Sequence, residues 1–534
     1  MAWFARDNLT QQTHFSWLAA LCGVNWTRDR MRWREMQPAT DQFATDTTYD
    51  SAATIQHRHG LKVLQVFHDT PPWAVTEGGG TGRFAGDLRA AYQFGKAMSR
   101  RFQGKVQAWE PWNEANVADF GGHTVDAICS YQKATYLGFK AGDPHVTVCW
   151  NVTTGVPTRR QAAGVLANET WPYFDTYNIH TYDWPTAYER LWGPAREAAC
   201  GKPIWVTESD RGSPVDEDSA TRDLSPRHAR LKAEFIAQSY ASSLHAGAHR
   251  HFHFILGQYG ERNIQFGLLR HDLTPRPGYV ALAAVGRFLA GARCLGRHVV
   301  PGKPDIHLIA FDSRPDGKRR DVLVAWAERE GEWSDRGTFA ADWPLPESVA
   351  VEECFDYLGR SIGSDPPTRL QSAPAFVILA RGESAKLQLD APPRSALRRG
   401  TPSAVVLQCL MPKETTVRSE KIRWAWEYEY RVAPDQEIDL PLFIYNFADH
   451  EINGTVTLEH VPKGCQITPS RWEVRLAPMQ RERLPAKVRI SAEGQTDAAS
   501  DAVDNAGDSS WFKLRGEFND DGQPVLAFQL KNDV

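Results

Sequence analysis

Apolar residues are not spread evenly along this chain. Over its first half they gather into short runs, β-branched or aromatic, each followed by a longer amphipathic stretch. The runs are Val24–Arg28, Lys62–Phe67, Val106–Trp109, Val146–Trp150, Tyr177–His180, Ile204–Thr207 and His249–Leu256. Strands covered on both faces lose the polar alternation of a half-exposed sheet, and these runs have lost it. The stretches between them, such as Asp87–Phe102, His123–Ala141 and Pro226–Ala246, read as helices. Repeated strand–helix units predict a parallel sheet with helices outside. Seven or eight such units predict a (β/α)8 TIM barrel over residues 1–292.

The barrel's first strand is short of sequence. A helix begins near Asn8–Thr13, which leaves only Met1–Asp7. Either Trp3–Ala5 is a stub of strand one or the natural protein extends further upstream; we expect the second, an N-terminal truncation. A lost segment would carry any signal peptide, so the missing leader leaves localisation open. The protein is secreted or periplasmic with such a leader and cytoplasmic without it.

After Pro277–Leu289, read as the last barrel helix, the pattern changes. Asp305–Asp312 and Arg320–Trp326 predict paired strands around the turn Arg314-Pro315-Asp316-Gly317, and short strands continue through Phe376–Leu387. This predicts a small β-sandwich domain over 293–392. A Pro-rich basic linker, Ala391–Pro402, follows. The runs Ile438–Tyr445, Gly454–Glu459, Ala486–Ile490 and Val525–Leu530 then predict an immunoglobulin-like sandwich over 403–534. Its polar, acidic tract Glu493–Ser510 is expected to be a mobile loop.

Composition narrows the function. The 534 residues carry 61 basic and 65 acidic side chains, a net charge of −4, which gives no footprint for nucleic acid. No run approaches the roughly 18 apolar residues of a membrane span. Eight cysteines include no Cys-x-x-Cys pair, so no zinc or redox motif is visible, and most are expected to be buried thiols. The 19 Trp, 15 Tyr and 24 Phe are numerous; aromatic faces stack on sugars, and they also fill large cores.

Barrel enzymes place their chemistry at the C-terminal ends of strands. The fourth strand ends in Trp109-Glu110-Pro111-Trp112-Asn113-Glu114-Ala115-Asn116, and the seventh in Ile204-Trp205-Val206-Thr207-Glu208-Ser209. A carboxylate just past a buried strand is costly without a use. Two of them facing each other suit glycosidic-bond hydrolysis, in which one donates a proton and the other attacks the anomeric carbon or activates water. Glu110 competes with Glu114, but it lies about 13 Å back along an extended strand, where a structural hydrogen bond is expected.

Trp112-Asn113-Glu114 followed by Glu208 resembles the large clan of retaining glycosidases with (β/α)8 barrels, which includes families 1, 5, 39 and 42. The resemblance covers residues 15–290. It implies that Glu114 is the acid/base, with a raised pKa, and Glu208 the nucleophile, with a low one. It also implies that Arg28, in Arg28-Asp29-Arg30-Met31-Arg32-Trp33, hydrogen-bonds the nucleophile; Arg30 and Arg32 are rival counterparts. His68 resembles a strand-three histidine that binds sugar hydroxyls, Asn113 would hold the 2-hydroxyl, and His180 or Tyr182 would orient the nucleophile. Trp73 and Trp112 complete the expected substrate-binding set, with Asp69 and Asp210 near the rim.

The chain departs from the clan at strand eight. Many members carry a tryptophan there under the sugar. Here the run is His249-Arg250-His251-Phe252-His253-Phe254, with Phe252 or His253 as its replacement. His251 and His253 alternate on one face but have no third ligand in view, so no metal is expected, and no cofactor. Thr76–Gly82, with three consecutive glycines, reads as a rim loop without phosphate-loop chemistry, and Ser209–Ser225 as a loop shaping the cleft. The partner expected is a carbohydrate. The rival reading is a non-catalytic carbohydrate-binding protein on the same scaffold.

Overall fold

The computed structural model describes residues 1–6, 8–76, 80, 82–329, 339–422, 425–492 and 510–533. Most of the expected acidic tract Glu493–Ser510, and part of the expected rim loop Thr76–Gly82, lie outside the described residues.

Seven parallel strands form the N-terminal part. They are β1 (Trp26–Arg32), β2 (Lys62–His68), β3 (Ala108–Glu110), β4 (Thr147–Val148), β5 (Tyr177–Thr181), β6 (Ile204–Ser209) and β8 (Ala248–His253). A two-residue arm after β6, Ser213–Pro214, is β7. Here β3 and β6 are the strands expected as fourth and seventh. Pairing follows chain order: β1 to β4 form one parallel sheet, and β5, β6 and β8 another. A parallel bridge between Cys149 and Thr176 links the two.

Trp3–Ala5, the stub weighed as the alternative to truncation, is not a strand. Phe4–Arg6 is one turn of 3-10 helix, with the ring of Phe4 packed 6.2 Å from that of Phe15. The extended residues are instead Met1 and Ala2. The Met1 ammonium donates to the carbonyl of His253 at 2.8 Å, the Leu256 amide donates to the Met1 carbonyl, and the Ala2 amide donates to the carbonyl of Arg28. These two residues thus lie between β8 and β1.

The expected helices are present, and two of them carry a side-chain N-cap. Asp87 caps Leu88–Arg101, and Ser225 caps Pro226–His245, each through a side-chain oxygen that accepts a first-turn amide. Val125–Gly142 packs so closely on Leu88–Arg101 that a Cβ at Gly138 would lie 2.2 Å from the Tyr92 carbonyl oxygen. Among the described residues, no helix is long and apolar enough to cross a membrane. All eight cysteines are free thiols, six of them buried.

A seven-stranded antiparallel sheet follows, centred on Ile306–Ser313, Arg320–Ala327 and Ala375–Leu379. The expected turn between the first two contains Asp316 and Gly317, both at positive φ. One face of this sheet packs Phe376 on Phe288 of the helix Pro277–Leu289, ring centroids 4.7 Å apart. The other face has its own core, including Leu308, Leu323 and Val377.

The C-terminal strands share a further core around Leu407, Ile444, Val456, Trp472, Phe512 and Phe528. The run expected as one strand over Ile438–Tyr445 is two, Glu437–Asp439 and Leu442–Asn446. Pro441 separates them, because proline has no amide to give a ladder. These strands are bonded to the helical layer. Lys133, buried in the helix Val125–Gly142, donates to the carbonyls of Asn168 at 2.7 Å and Val525 at 2.6 Å. The linker crosses the same layer, with Arg398 stacked 3.6 Å from the centroid of Trp171.

Candidate active site

Side chains alternate along a strand, so Trp26, Arg28 and Arg30 of β1 face one way. Trp26 packs on Trp205, Leu64, Ala108, Cys149 and Phe252 in an apolar layer. Arg28 sits next along the strand, fully buried. A buried guanidinium needs acceptors for its five donors. It donates to Glu208 Oε1 at 2.6 Å, to Asn113 Oδ1 at 2.7 Å and to Glu110. Of the three rival arginines, Arg28 is the one bonded to Glu208. Arg32 turns to Glu35 at 3.1 Å, with its side chain 44% exposed.

Glu110 is fully buried and accepts from Asn178 at 2.5 Å as well as from Arg28. That is the structural role expected of a carboxylate sunk below the rim. Glu208, at the end of β6, accepts from the Tyr182 hydroxyl at 2.7 Å through its second oxygen. Burial alone would raise its pKa. The nearby charges of His180 and Arg28, together with the Tyr182 bond, outweigh burial and lower it to about 2.

Glu114 lies across from Glu208. His180 Nδ1 is 2.8 Å from Glu114 Oε1 and 3.5 Å from Glu208 Oε2. One atom of each of the three residues falls within 4.8 Å of the other two. The carboxylates are not equally accessible: the Glu114 side chain keeps 16% of its surface exposed and that of Glu208 6%. Of the two candidates left open by sequence, Tyr182 bonds Glu208 and His180 bonds chiefly Glu114.

The loop carrying Glu114 is held against its backbone preference. Trp112 has φ 128° and Glu114 φ 47°, values that favour glycine. Trp112 is fully buried, donates to the Phe120 carbonyl at 2.9 Å and packs against Phe84, 5.0 Å between centroids. Its ring anchors the loop from behind, so the expected substrate contact by Trp112 is not available. Asn113 keeps its Oδ1 on Arg28, and its amide nitrogen has no partner among the described residues.

The geometry can be set beside known proteins. No family model and no curated relative matches the chain. Solved structures do. A family 39 glycoside hydrolase from the gut symbiont Bacteroides cellulosilyticus WH2 superposes with TM-score 0.53 at 19% identity, over 69% of this chain and 78% of that one. A GH30 endoxylanase from Clostridium papyrosolvens C71 superposes with TM-score 0.50 at 14% identity, over 71% and 94%. The family 30 subfamily 8 xylanase Xyn30A from Clostridium acetobutylicum gives 0.50 at 15% identity, again over 71% and 94%. The chain shares the fold of these solved structures.

On that fold the remaining expected residues divide. His68 is buried and its Nδ1 lies 2.8 Å from Asp69 Oδ1. Burial lowers its pKa, the Asp69 bond opposes this, and the balance falls to about 4, so the ring is neutral at pH 7. A neutral ring that gives its Nδ1 proton to Asp69 keeps Nε2 as an acceptor. Asp69 is thus a positioning group for His68. Asp210 is a buried partner of Lys232 in the helix Pro226–His245. Trp73 donates to the Gln37 carbonyl at 3.2 Å and lines a separate cavity of about 1050 Å³ with Arg89 and Met479, so the structure does not bring it to the carboxylates.

At β8 neither residue expected as a replacement turns its contacts toward the carboxylates. Phe252 belongs to the apolar layer below, packed on Trp205 at 6.2 Å, and the His253 carbonyl holds the Met1 ammonium. Phe254 packs edge-on against Tyr182, the residue that bonds Glu208, 6.3 Å between centroids. Phe254 follows β8, which ends at His253. Among the described residues, Glu114, His180 and Glu208 are also the one acidic and histidine group compact enough for a metal. The Arg28 guanidinium beside Glu208 opposes a cation there.

Proposed function

We propose that this chain is a retaining glycoside hydrolase that cleaves β-glycosidic bonds in oligo- or polysaccharides. The observation that carries this reading is the approach of one carboxylate oxygen of Glu114 to one of Glu208 within 4.8 Å. Retaining enzymes hold their carboxyl groups about 5–5.5 Å apart, whereas inverting enzymes leave about 6.5–9.5 Å for a water.

In the first step Glu208 attacks the anomeric carbon while Glu114 protonates the departing glycosidic oxygen, and the bond to the leaving group breaks. In the second, water attacks the same carbon, Glu114 takes its proton, and the bond to Glu208 breaks. The lowered pKa of Glu208 keeps the nucleophile ionised. The more exposed Glu114 can reach both the leaving group and water. The free amide nitrogen of Asn113 is a donor for the 2-hydroxyl, and Nε2 of His68 an acceptor for another hydroxyl. Tyr182 and Arg28 orient the nucleophile, and His180 tethers the acid/base.

The scaffold reading is a (β/α)8 barrel over 1–292, with Met1–Ala2 in the place of its first strand. It is supported by seven parallel strands in chain order and by the bonds from Met1 and Ala2 to β8 and β1. A small β-sandwich domain over 293–392 and an immunoglobulin-like sandwich over 403–534 complete the chain. The test is kinetic. Glu208→Gln should abolish turnover of aryl β-glycosides, and the first product released by the wild type, followed by NMR, should be the β-anomer. Wild-type activity in the variant would overturn the assignment, and an α-anomer would overturn retention.

A further inference from the structure

Arg30 lies two residues beyond Arg28 on the same face of β1, and so one step closer to the open end of the site. Its Cα stands opposite Val66, between the levels of Arg28 and His68. Its guanidinium rests 5.2 Å from the ring centroid of Phe120 and 5.7 Å from that of Trp3. Phe120 in turn packs edge-on against His68, 5.4 Å between centroids. The side chain is partly exposed, and its Nε is buried without a hydrogen-bond partner.

The neighbouring arginines are all paired. Arg28 holds Glu208 and Glu110, Arg32 holds Glu35, and Arg34 reaches Asp69. Arg30 forms no ion pair among the described residues. The fields of Glu208 and Glu114 do reach it, which puts its charge beside the carboxylates that the proposed reaction uses. A half-buried guanidinium with aromatic walls and no ion-pair partner in contact is costly unless a ligand supplies one. Its planar fork matches a carboxylate through two parallel bonds.

We infer that Arg30 binds the carboxylate of an acidic sugar, so that the substrate carries a uronic acid residue at or beside the cleaved bond. This rests on the glycosidase reading and narrows its substrate class. A neutral sugar would leave the guanidinium unpaired in the closed complex.

The test compares aryl β-glucuronide and β-galacturonide with the corresponding glucoside, galactoside and xyloside. Turnover and calorimetric binding are measured for the wild type and for Arg30→Gln and Arg30→Lys. The uronides should be preferred, and Arg30→Gln should cost them about 100-fold more in kcat/KM or affinity than it costs the neutral glycosides. Arg30→Lys should recover part of that loss. Preference for neutral or sulfated glycosides, equal losses for both classes in Arg30→Gln, or binding of neither class would overturn the inference. Arg30-dependent binding of uronides without turnover would uphold it and overturn hydrolysis instead.

Discussion

Arg28 and Glu208 meet at 2.6 Å with both side chains withdrawn from water, and the same guanidinium serves Glu110. One cation thus compensates two buried carboxylates. Arg28→Met should cost about 3–5 kcal/mol, because it strands charge rather than merely removing a bond. The pH dependence gives the sign. Glu208 has a folded pKa of about 2 against an ordinary 4.5, so its contribution is present above 4.5 and is lost as pH falls toward 2. Urea melts of the wild type should show that loss, and Arg28→Met should flatten or reverse it.

Tyr182 supplies the hydroxyl that Glu208 accepts. Tyr182→Phe keeps the ring and removes the proton. With one counterweight to burial gone, the Glu208 pKa should rise, and the acid limb of kcat/KM should move up by about one pH unit. An acid limb that stays where it was would show that the hydroxyl does not govern the ionisation.

Glu114→Ala should lower turnover of glycosides with poor leaving groups by about 10²–10⁴-fold. Sodium azide should restore activity toward activated aryl glycosides and yield a glycosyl azide of retained configuration. Azide that leaves the rate unchanged would argue against an acid/base at this position.

Gly138→Ala is a stability test of the scaffold. Its Cβ would sit 2.2 Å from the Tyr92 carbonyl oxygen and 2.9 Å from the next two backbone atoms of that residue. Backbone cannot swing aside as a side chain does, so two helices must part. A cost of about 1–3 kcal/mol, read from thermal melts, is expected.

Lys133→Met removes the donor shared by the carbonyls of Asn168 and Val525. Both lose a charge-assisted bond in a buried interface, worth about 1.5–3 kcal/mol each before relaxation. Limited proteolysis should then cut the C-terminal sheets more readily than in the wild type.

Strand ends were the legible part of this chain. An apolar run that stops at a carboxylate marks a buried charge, and Arg28, Glu114, Glu208, Asn113, His180 and Tyr182 do converge. Depth along a strand was also readable, which separated Glu110 from Glu114. What a pattern cannot tell is which way an indole turns. Trp73 and Trp112 stand next to site residues in sequence, yet one faces a different cavity and the other the core. Phe254 was hidden for the opposite reason, because a phenylalanine among apolar neighbours looks like core. Pairing was equally invisible: three arginines alternate along β1, and only their partners distinguish Arg28 from Arg30.

The backbone at Glu114 has a consequence for how this chain would age. A glutamate at φ 47° carries a local backbone cost that glycine would not. Glu114→Gly would relieve the strain and should melt at a higher temperature than the parent while losing turnover of poor leaving groups as Glu114→Ala does. A lineage that no longer needed the reaction would gain by losing this residue early. On the proposed reading, stability and activity therefore pull in opposite directions at position 114.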